Sequence, residues 1–259
     1  MNDWREGRAP ASIIDFHSHL LPGLDDGALD WEESLQLARL AVAEGITRVA
    51  LTPHYLERSY DTPREQVLEM AEEFSHRVEK AGLPLRSFPG MEVHITPELP
   101  RLLEEGELLT FHDAGEFLLV ELPFLDWPRF TEDILFQVRL KGITPILAHP
   151  ERNRRVAENP GLIQPLLQQG CLVQMNTGSI TGAYGGRVRR TAEALLHLGA
   201  VHMLGTDAHS LHQRPPEMQE ALERISHLLG PETARRMASP ALSGLAVTPC
   251  NRHPQGPTP

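Results

Sequence analysis

The chain has 259 residues, of which 41% are hydrophobic and 23% are charged, and its formal net charge is −11. This composition excludes a collagen-like repeat and a wholly disordered chain, and the acidic excess argues against nucleic acid or an anionic membrane as a partner. Two cysteines make no disulfide framework. The first twelve residues lack an apolar segment, and no apolar run approaches the roughly 18 residues that span a bilayer. We therefore expect a cytoplasmic protein without a signal peptide.

Seven short apolar runs alternate along the chain with longer segments of helical spacing. The runs cover residues 12–16, 48–52, 85–93, 117–122, 144–148, 171–175 and 201–205. Near-continuous apolar character is typical of buried parallel strands, and the segments between the runs have the length of helices. The alternation predicts an α/β fold, either a seven-stranded β/α barrel or an open doubly wound sheet.

One domain accounts for most of the sequence. We predict an N-terminal extension over residues 1–12, the barrel over residues 13–239 and a mobile tail over residues 240–259, where the chain is rich in proline and loses its apolar period. Residues 178–186 contain four glycines, which predict either a rim loop that closes over ligands or a plain connector.

A polar side chain stands at the end of each apolar run. In chain order these are His17 and His19 in D-F-H-S-H, His54 in T-P-H, Glu92, Glu121, His149 in A-H-P-E-R, Asn176, and Asp207 with His209 in T-D-A-H-S. From one run to the next they are 27 to 38 residues apart, about the length of a β/α unit. Because active sites lie at the C-terminal ends of barrel strands, we expect these side chains to meet.

Histidine and carboxylate residues at two-residue spacing indicate a metal site. In a strand, residues i and i+2 face the same side, so H-x-H and D-x-H each direct two ligands at one point. Imidazole and carboxylate without thiolate suit manganese, iron, zinc or cobalt. Asp26 in L-P-G-L-D-D-G is a further candidate ligand, although it and Asp25 could merely be turn residues.

These motifs resemble those of the polymerase-and-histidinol-phosphatase (PHP) superfamily of metal-dependent phosphoesterases. The more specific resemblance is to its bacterial tyrosine-protein phosphatase branch, which belongs to capsule and exopolysaccharide systems. It runs from about residue 13 to residue 229, and its strings are D-F-H-S-H-L-L-P-G-L-D-D-G, T-P-H, A-H-P-E-R, N-T-G-S and T-D-A-H-S. Many other PHP members have histidine at the positions of Asp26 and Glu121, and the acidic residues found here resemble the tyrosine-phosphatase branch. The resemblance implies a distorted seven-stranded barrel.

The resemblance also implies three divalent metal ions, manganese being the expected metal, and assigns their ligands. The first ion would be held by His17, His19, Glu92 and Asp207, the second by Glu92, Glu121 and His149, and the third by Asp26, His54 and His209. Arg152 and Arg214 match two arginines that grip the phosphate, and Asp207 or a bound water would protonate the leaving group. The implied reaction is hydrolysis of phosphotyrosine by a metal-activated hydroxide, with a phosphotyrosine protein, namely a bacterial tyrosine kinase, as partner.

Two other functions stay open on the sequence alone. A PHP phosphatase of a small metabolite, such as histidinol phosphate, would use the same ligands, and a non-catalytic regulator would bind metal without turnover. A cysteine-dependent tyrosine phosphatase is excluded because it needs C-x5-R. Thr177 stands six residues after Cys171, and Gly256 stands six residues after Cys250.

Overall fold

Parallel strands form the centre of the fold in this computed structural model, which describes residues 12–56, 59–60 and 62–240. The strands are β1 (Ile13–Asp15), β2 (Ile46–Leu51), β3 (His54–Tyr55), β4 (Arg86–Pro89), β5 (Glu92–His94), β6 (Phe117–Glu121), β7 (Thr144–Ala148), β8 (Leu172–Asn176) and β9 (Met203–Gly205). They pair in parallel in two sheets, of order β1-β2-β4 and β3-β5-β6-β7-β8-β9. The predicted α/β fold is confirmed, whereas most of the predicted N-terminal extension and tail lies outside the described residues.

Two of the predicted strands are interrupted, so the described residues contain nine strands instead of the seven that the sequence predicts. The second apolar run becomes β2, and β3 follows it after Thr52 and Pro53, beyond the end of the predicted run. The third run becomes β4 and β5. Proline has no amide hydrogen to offer a sheet ladder. The two sheets stay connected at the break, because Gly90 N donates to Leu51 O at 2.9 Å and Glu92 N donates to Pro53 O at 3.0 Å.

Helices follow the strands, as the alternation predicts. The longer ones are α1 (Trp31–Ala43), α2 (Arg64–Lys80), α4 (Thr131–Leu140), α8 (Gly186–His197), α9 (Gln219–Leu229) and α10 (Pro231–Ala238), and the shorter ones are α3 (Leu99–Glu104), α5 (Arg154–Glu158), α6 (Gln164–Gln168) and α7 (Thr177–Thr181). None of the helices in the described ranges has the length and apolar character that crossing a bilayer requires.

Helix α7 replaces part of the predicted glycine-rich rim loop. Glu151 is fully buried, and its Oε1 accepts hydrogen bonds from Asn176 N at 2.9 Å and from Ser179 Oγ at 2.6 Å. A carboxylate at a helix N-terminus satisfies otherwise unpaired backbone donors and complements the helix dipole. The contact explains why this short helix forms despite its glycine. The segment therefore consists of most of α7, a turn over residues 182–185 and the first residue of α8.

A small inner core lies between the strands. It consists of Ile14, Phe16, Ala50, Phe88, Phe111, Phe117, Leu119, Ile146, Ala148 and Met203. On β6, Leu119 faces this inner core while Leu118 faces the outer core beneath the helices. Because side chains alternate along a strand, Glu121 shares the face of Leu119 and emerges at the C-terminal end of the inner core. Phe16 N also donates to Leu204 O at 3.1 Å, which joins β1 to β9.

Candidate metal centre

The C-terminal ends of the strands bring all nine predicted metal ligands together. These residues are His17, His19, Asp26, His54, Glu92, Glu121, His149, Asp207 and His209. A cleft of about 260 Å³ opens above them. Arg152 and Arg214 line the same cleft, with Tyr60 and Phe124 at its sides.

Four of these residues meet at the buried base of the cleft. His17 Nε2 and His19 Nε2 lie 3.0 Å apart, and Glu92 Oε2 is 3.1 Å from the former and 3.4 Å from the latter. Asp207 Oδ1 is 3.4 Å from His19 Nε2 and 3.7 Å from His17 Nε2. This is the set that the resemblance assigns to the first ion.

Hydrogen bonds behind the imidazoles set their orientation. His17 Nδ1 lies 3.0 Å from Gln174 Oε1, and His19 Nδ1 lies 2.7 Å from Asp25 Oδ2. These oxygens only accept, so each Nδ1 carries a proton, and in the neutral ring each Nε2 has a lone pair that faces the other residues of the cluster. Such outer partners fix the tautomer of a metal-binding histidine.

The remaining ligands form two neighbouring groups around Glu92. His149 Nε2 lies 2.8 Å from Glu92 Oε1 and 3.9 Å from Glu121 Oε1. On the other side, Asp26 Oδ1 is 3.6 Å from His54 Nε2 and 3.4 Å from His209 Nε2. His54 Nδ1 also lies 3.0 Å from Glu92 Oε2. His54 thus lies between the group of Asp26 and His209 and the group of Glu92, whereas the resemblance assigns it only to the third ion.

The donor set fits divalent cations on three observations. First, metal–ligand bonds of about 2.1 Å place neighbouring donor atoms about 3.0 to 3.4 Å apart, which is the spacing in this cluster. Second, His17 Nε2 and His19 Nε2 lie 3.0 Å apart, so in the neutral rings their two lone pairs converge on one position that a shared cation can occupy. Third, Glu92 Oε2 and His209 Nε2 are buried without a hydrogen bond among the described residues. Buried polar atoms normally have a partner.

Two carboxylates of the cluster, those of Glu92 and Asp207, are held ionised. Burial opposes the charge, but the nearby imidazoles of His17 and His54 hold the pKa of Glu92 well below its usual value. Against the same effect of burial, His17 and His19 lower the pKa of Asp207. Metal ligands must be deprotonated, so both carboxylates are in the form that binds a cation.

Two arginines converge on one carboxylate oxygen at the mouth of the cluster. Arg152 Nη1 donates to Asp207 Oδ2 at 2.7 Å, and Arg214 Nη1 donates to the same oxygen at 3.3 Å. Arg214 Nη2 also donates to Asp26 Oδ2 at 3.3 Å. Asp207 therefore connects the candidate ligands to both predicted phosphate-binding residues.

Two ligand-bearing strand ends have a left-handed backbone. The φ angles are 30° at His149 and 54° at Asp207. Non-glycine residues rarely adopt this conformation, and such residues cluster at functional sites. At both positions the turn allows the chain to leave the strand while the side chain points into the cluster.

Sequence reasoning missed several residues that support the site. Asp25 is the clearest case, because it is adjacent to Asp26 and the motif alone does not indicate which carboxylate orients His19. Gly27 in the same motif is required, since a Cβ there would lie 2.2 Å from His19 O. Gln174 gives no motif signal at all, but its position two residues before Asn176 places it on the inward face of β8.

Comparison with known proteins decides the family. The family model described as capsular polysaccharide synthesis, CpsB/CapC, matches residues 13–241. The chain belongs to the CpsB/CapC family.

Relatives within the CpsB/CapC family are similar over most of their length. The chain is 36% identical over 220 residues to tyrosine-protein phosphatase YwqE of Bacillus subtilis, which covers 85% of this chain and 86% of the relative. It is 27% identical over 230 residues to tyrosine-protein phosphatase CpsB of Streptococcus pneumoniae, covering 87% of this chain and 94% of the relative.

Solved structures support the same family. One of the crystal structures of YwqE from Bacillus subtilis and CpsB from Streptococcus pneumoniae, described as metal-dependent tyrosine phosphatases, matches with a TM-score of 0.81 and 35% identity over 87% of this chain and 94% of that chain. A histidinol phosphate phosphatase from Lactococcus lactis matches with a TM-score of 0.55 and 11% identity over 86% and 94% of the two chains. That second likeness shows a shared fold.

Proposed function

We propose that this chain is a metal-dependent protein-tyrosine phosphatase that acts in the regulation of capsule or exopolysaccharide synthesis. The observation that carries the proposal is the meeting of nine candidate ligands and two arginines in one cleft. The names of the relatives YwqE and CpsB supply the substrate class.

Three divalent cations, manganese by preference, are the cofactor that we propose for this cluster. His17, His19, Glu92 and Asp207 would hold one, Glu92, Glu121 and His149 a second, and Asp26, His54 and His209 a third. When bound, such cations polarise a phosphate ester and lower the pKa of a coordinated water, which supplies a nucleophile at neutral pH. His19 belongs to the first group, and its ring centroid lies 3.8 Å from that of His209, which belongs to the third. The two proposed sites are therefore adjacent.

Charge balance explains why the cluster needs cations before it can accept a phosphate. The carboxylates of Asp26, Glu92, Glu121 and Asp207 bring four negative charges to the base of the cleft, and a phosphomonoester dianion would be repelled. Three divalent cations would leave a net positive site, which favours the dianion. We therefore expect no activity without metal.

Arg152 and Arg214 would bind the phosphate from the open side of the cleft. A guanidinium offers a planar fork of donors that matches two phosphate oxygens. Asp207 Oδ2 accepts from both arginines and so orients them toward a shared position above the cluster. Proton donation to the leaving phenolate by Asp207 or by a bound water stays a prediction, and the lowered pKa of Asp207 supports the water. A phenolate leaving group, with a pKa of about 10, needs less acid assistance than an alkoxide.

We further propose that β2 with β3 and β4 with β5 each act as one interrupted strand, so that the nine strands form a distorted seven-stranded barrel. The hydrogen bonds across the breaks and between β1 and β9 support this description. A single domain over residues 13–239, a location in the cytoplasm and a tyrosine kinase as the phosphorylated partner stay predictions.

The test is metal analysis of the purified chain together with turnover of three substrates. We expect a phosphotyrosine peptide to be cleaved, a phosphoserine peptide barely, and histidinol phosphate poorly. The long tyrosine side chain can reach a recessed site whose Glu92 and Asp207 are buried, whereas a serine on a peptide backbone cannot. A higher kcat/KM for histidinol phosphate would identify a metabolite phosphatase instead. Bound metal without turnover of any substrate would indicate a non-catalytic regulator.

A further inference from the structure

Arg152 is enclosed between two aromatic rings. Its guanidinium carbon lies 4.5 Å from the ring centroid of Phe124 and 4.6 Å from that of Tyr184. Both distances are within the range of cation–π contact. The hydrogen bond from Nη1 to Asp207 Oδ2 fixes the remaining direction of the side chain. The plane of the guanidinium is thereby set before any phosphate arrives.

The position of Tyr184 is prepared by the chain around it. Tyr184 lies in the turn between α7 and α8, a part of the chain that the motif resemblance assigns to no function. A Cβ at Gly178 would lie 3.0 Å from Cε2 of the Tyr184 ring, so only glycine leaves ordinary room for the ring at this place. Glu151 holds the start of α7, and hence Gly178, through Ser179.

We propose that Tyr184 is a positioning residue for phosphate binding, whose ring holds the guanidinium of Arg152 in place against Phe124. The proposal rests on the proposed function, in which Arg152 binds the phosphate. An arginine side chain loses rotamer freedom when it grips a ligand, and a side chain that is already ordered loses less. Tyr184 therefore strengthens phosphate binding without touching the phosphate.

Arg214 provides an internal comparison. Its guanidinium is held by the carboxylates of Asp26 and Asp207, whereas the aromatic contacts described above belong to Arg152. Loss of the ring should consequently affect the contribution of Arg152 alone. A double-mutant cycle between positions 184 and 152 measures that dependence directly.

The experiment uses the metal-loaded full chain and two readouts, kcat/KM with an aryl phosphate and the inhibition constant of inorganic phosphate. Tyr184→Leu keeps apolar volume but removes the π face, so we expect both readouts to weaken roughly threefold to thirtyfold. Tyr184→Phe keeps the ring and should restore most of the loss. In an Arg152→Ala background, Tyr184→Leu should have no further effect.

Two further variants separate positioning from general damage. Gly178→Ala is a substitution at another position that should displace the Tyr184 ring, and we expect it to weaken inhibition by phosphate. Combined with Tyr184→Leu, it should cause no further weakening. Phe136→Leu changes an exposed aromatic residue on α4, 49% exposed, and should leave both readouts unchanged. Metal content and the urea midpoint are measured for every variant, and both should match the wild type in Tyr184→Leu.

Two results would overturn the inference. One is a wild-type phosphate inhibition constant in Tyr184→Leu. The other is a loss of equal size in the presence and absence of Arg152, which would mean that Tyr184 acts elsewhere. If the wild-type chain hydrolyses no phosphomonoester, the proposed function fails. Direct calorimetric binding of inorganic phosphate to the same variants then still decides the role of Tyr184.

Discussion

Glu92 lies close to imidazole nitrogens of four histidines, which come from three separate segments of the chain. Its two oxygens lie within 3.4 Å of His17, His19, His54 and His149. A carboxylate with this many neighbours is shared between metal sites in our proposal. Its removal should therefore disturb more than one ion.

The ligands should be jointly required for turnover. We expect His17→Ala, Glu92→Gln and Asp207→Asn each to lower turnover by several orders of magnitude, because each removes a ligand that the others cannot replace. Metal per chain, kcat and the far-ultraviolet circular dichroism spectrum are measured together. A variant that folds, receives excess metal and keeps a near-normal rate would contradict the proposed three-ion site.

Phosphate binding should depend on the shape of arginine and not only on its charge. Arg152→Lys and Arg214→Lys keep the positive charge but lose the planar fork, so we expect kcat/KM to fall by at least about tenfold while metal content stays constant. Arg155→Lys is the matched control, because Arg155 pairs with Glu158 on the surface. Equal rates in Arg152→Lys and Arg155→Lys would mean that Arg152 does not bind the phosphate.

The ligand types were predictable from sequence, whereas their supporting partners were not. H-x-H and D-x-H carry their meaning in local spacing, which a single sequence displays. Gln174 orients His17 from 157 residues away, and that contact exists only after the strands have assembled. The stacking of Arg152 between Phe124 and Tyr184 likewise depends on three separate segments. Local sequence patterns therefore identify the candidate ligands, whereas the residues that orient them are identified only by tertiary contacts.

Helix α5 and the segment before it are joined by one buried side chain. Asn153 Oδ1 caps the helix by accepting from Arg155 N and Val156 N, while Nδ2 donates to Pro123 O at 2.6 Å and Asp126 O at 2.8 Å. The donated bonds fix the segment that carries Phe124. The accepted bonds fix the helix.

Substitutions at Asn153 should separate these two roles. Asn153→Ser keeps a capping oxygen but loses both donated bonds, so we expect weaker inhibition by phosphate. Asn153→Ala also loses the cap and should cost about 1 kcal/mol more in the free energy of unfolding. Urea unfolding and phosphate inhibition check both effects. Identical unfolding free energies for the two variants would show that the cap contributes nothing.

Strands β8 and β9 are joined at their N-terminal ends by a neutral histidine. His202 Nδ1 accepts from Val173 N at 3.1 Å, and His202 N donates to Val173 O at 3.0 Å. Burial, together with the positive charge of Arg236, lowers the pKa of His202 below its ordinary 6.5. Protonation of Nδ1 would break the first of these bonds.

The stability that His202 contributes should depend on pH. Below the ordinary pKa of about 6.5 the unfolded chain takes up a proton that the native state does not, so this contribution is present above that pH and is lost as the pH falls. The decrease in urea midpoint from about pH 7.5 to about pH 5.5, measured with a chelator, should be smaller in His202→Gln than in the wild type. His197→Gln, exposed on α8, is the control. An unchanged decrease in His202→Gln would refute the assignment.

At the scale of the strands, the sequence predicted which segments form strands but not where each strand is interrupted. Apolar runs mark burial, and burial continues across the break between β2 and β3. Pro53 is visible in the sequence, yet a proline at a strand end and a proline within an interrupted strand look alike. The count of strands therefore depended on hydrogen bonds that only the assembled sheets reveal.

For the whole molecule, the described fold ends close to α10, and the proline-rich end of the sequence should be dispensable. The residues after Ala246 contain four prolines and no apolar period. A chain that ends at Ala246 should keep the melting temperature and the rate with a small aryl phosphate. Differential scanning calorimetry and steady-state kinetics provide the comparison. A large drop in melting temperature would mean that the removed residues pack against the fold.

The left-handed backbone at His149 and Asp207 places stability and chemistry in conflict. Each such residue costs roughly 1 to 3 kcal/mol relative to a relaxed backbone, and glycine would relieve that cost at either position. The same substitution would remove a candidate ligand at either position and, at Asp207, would leave two arginines without their shared acceptor. The strain is therefore kept together with the side chains that the proposed chemistry needs.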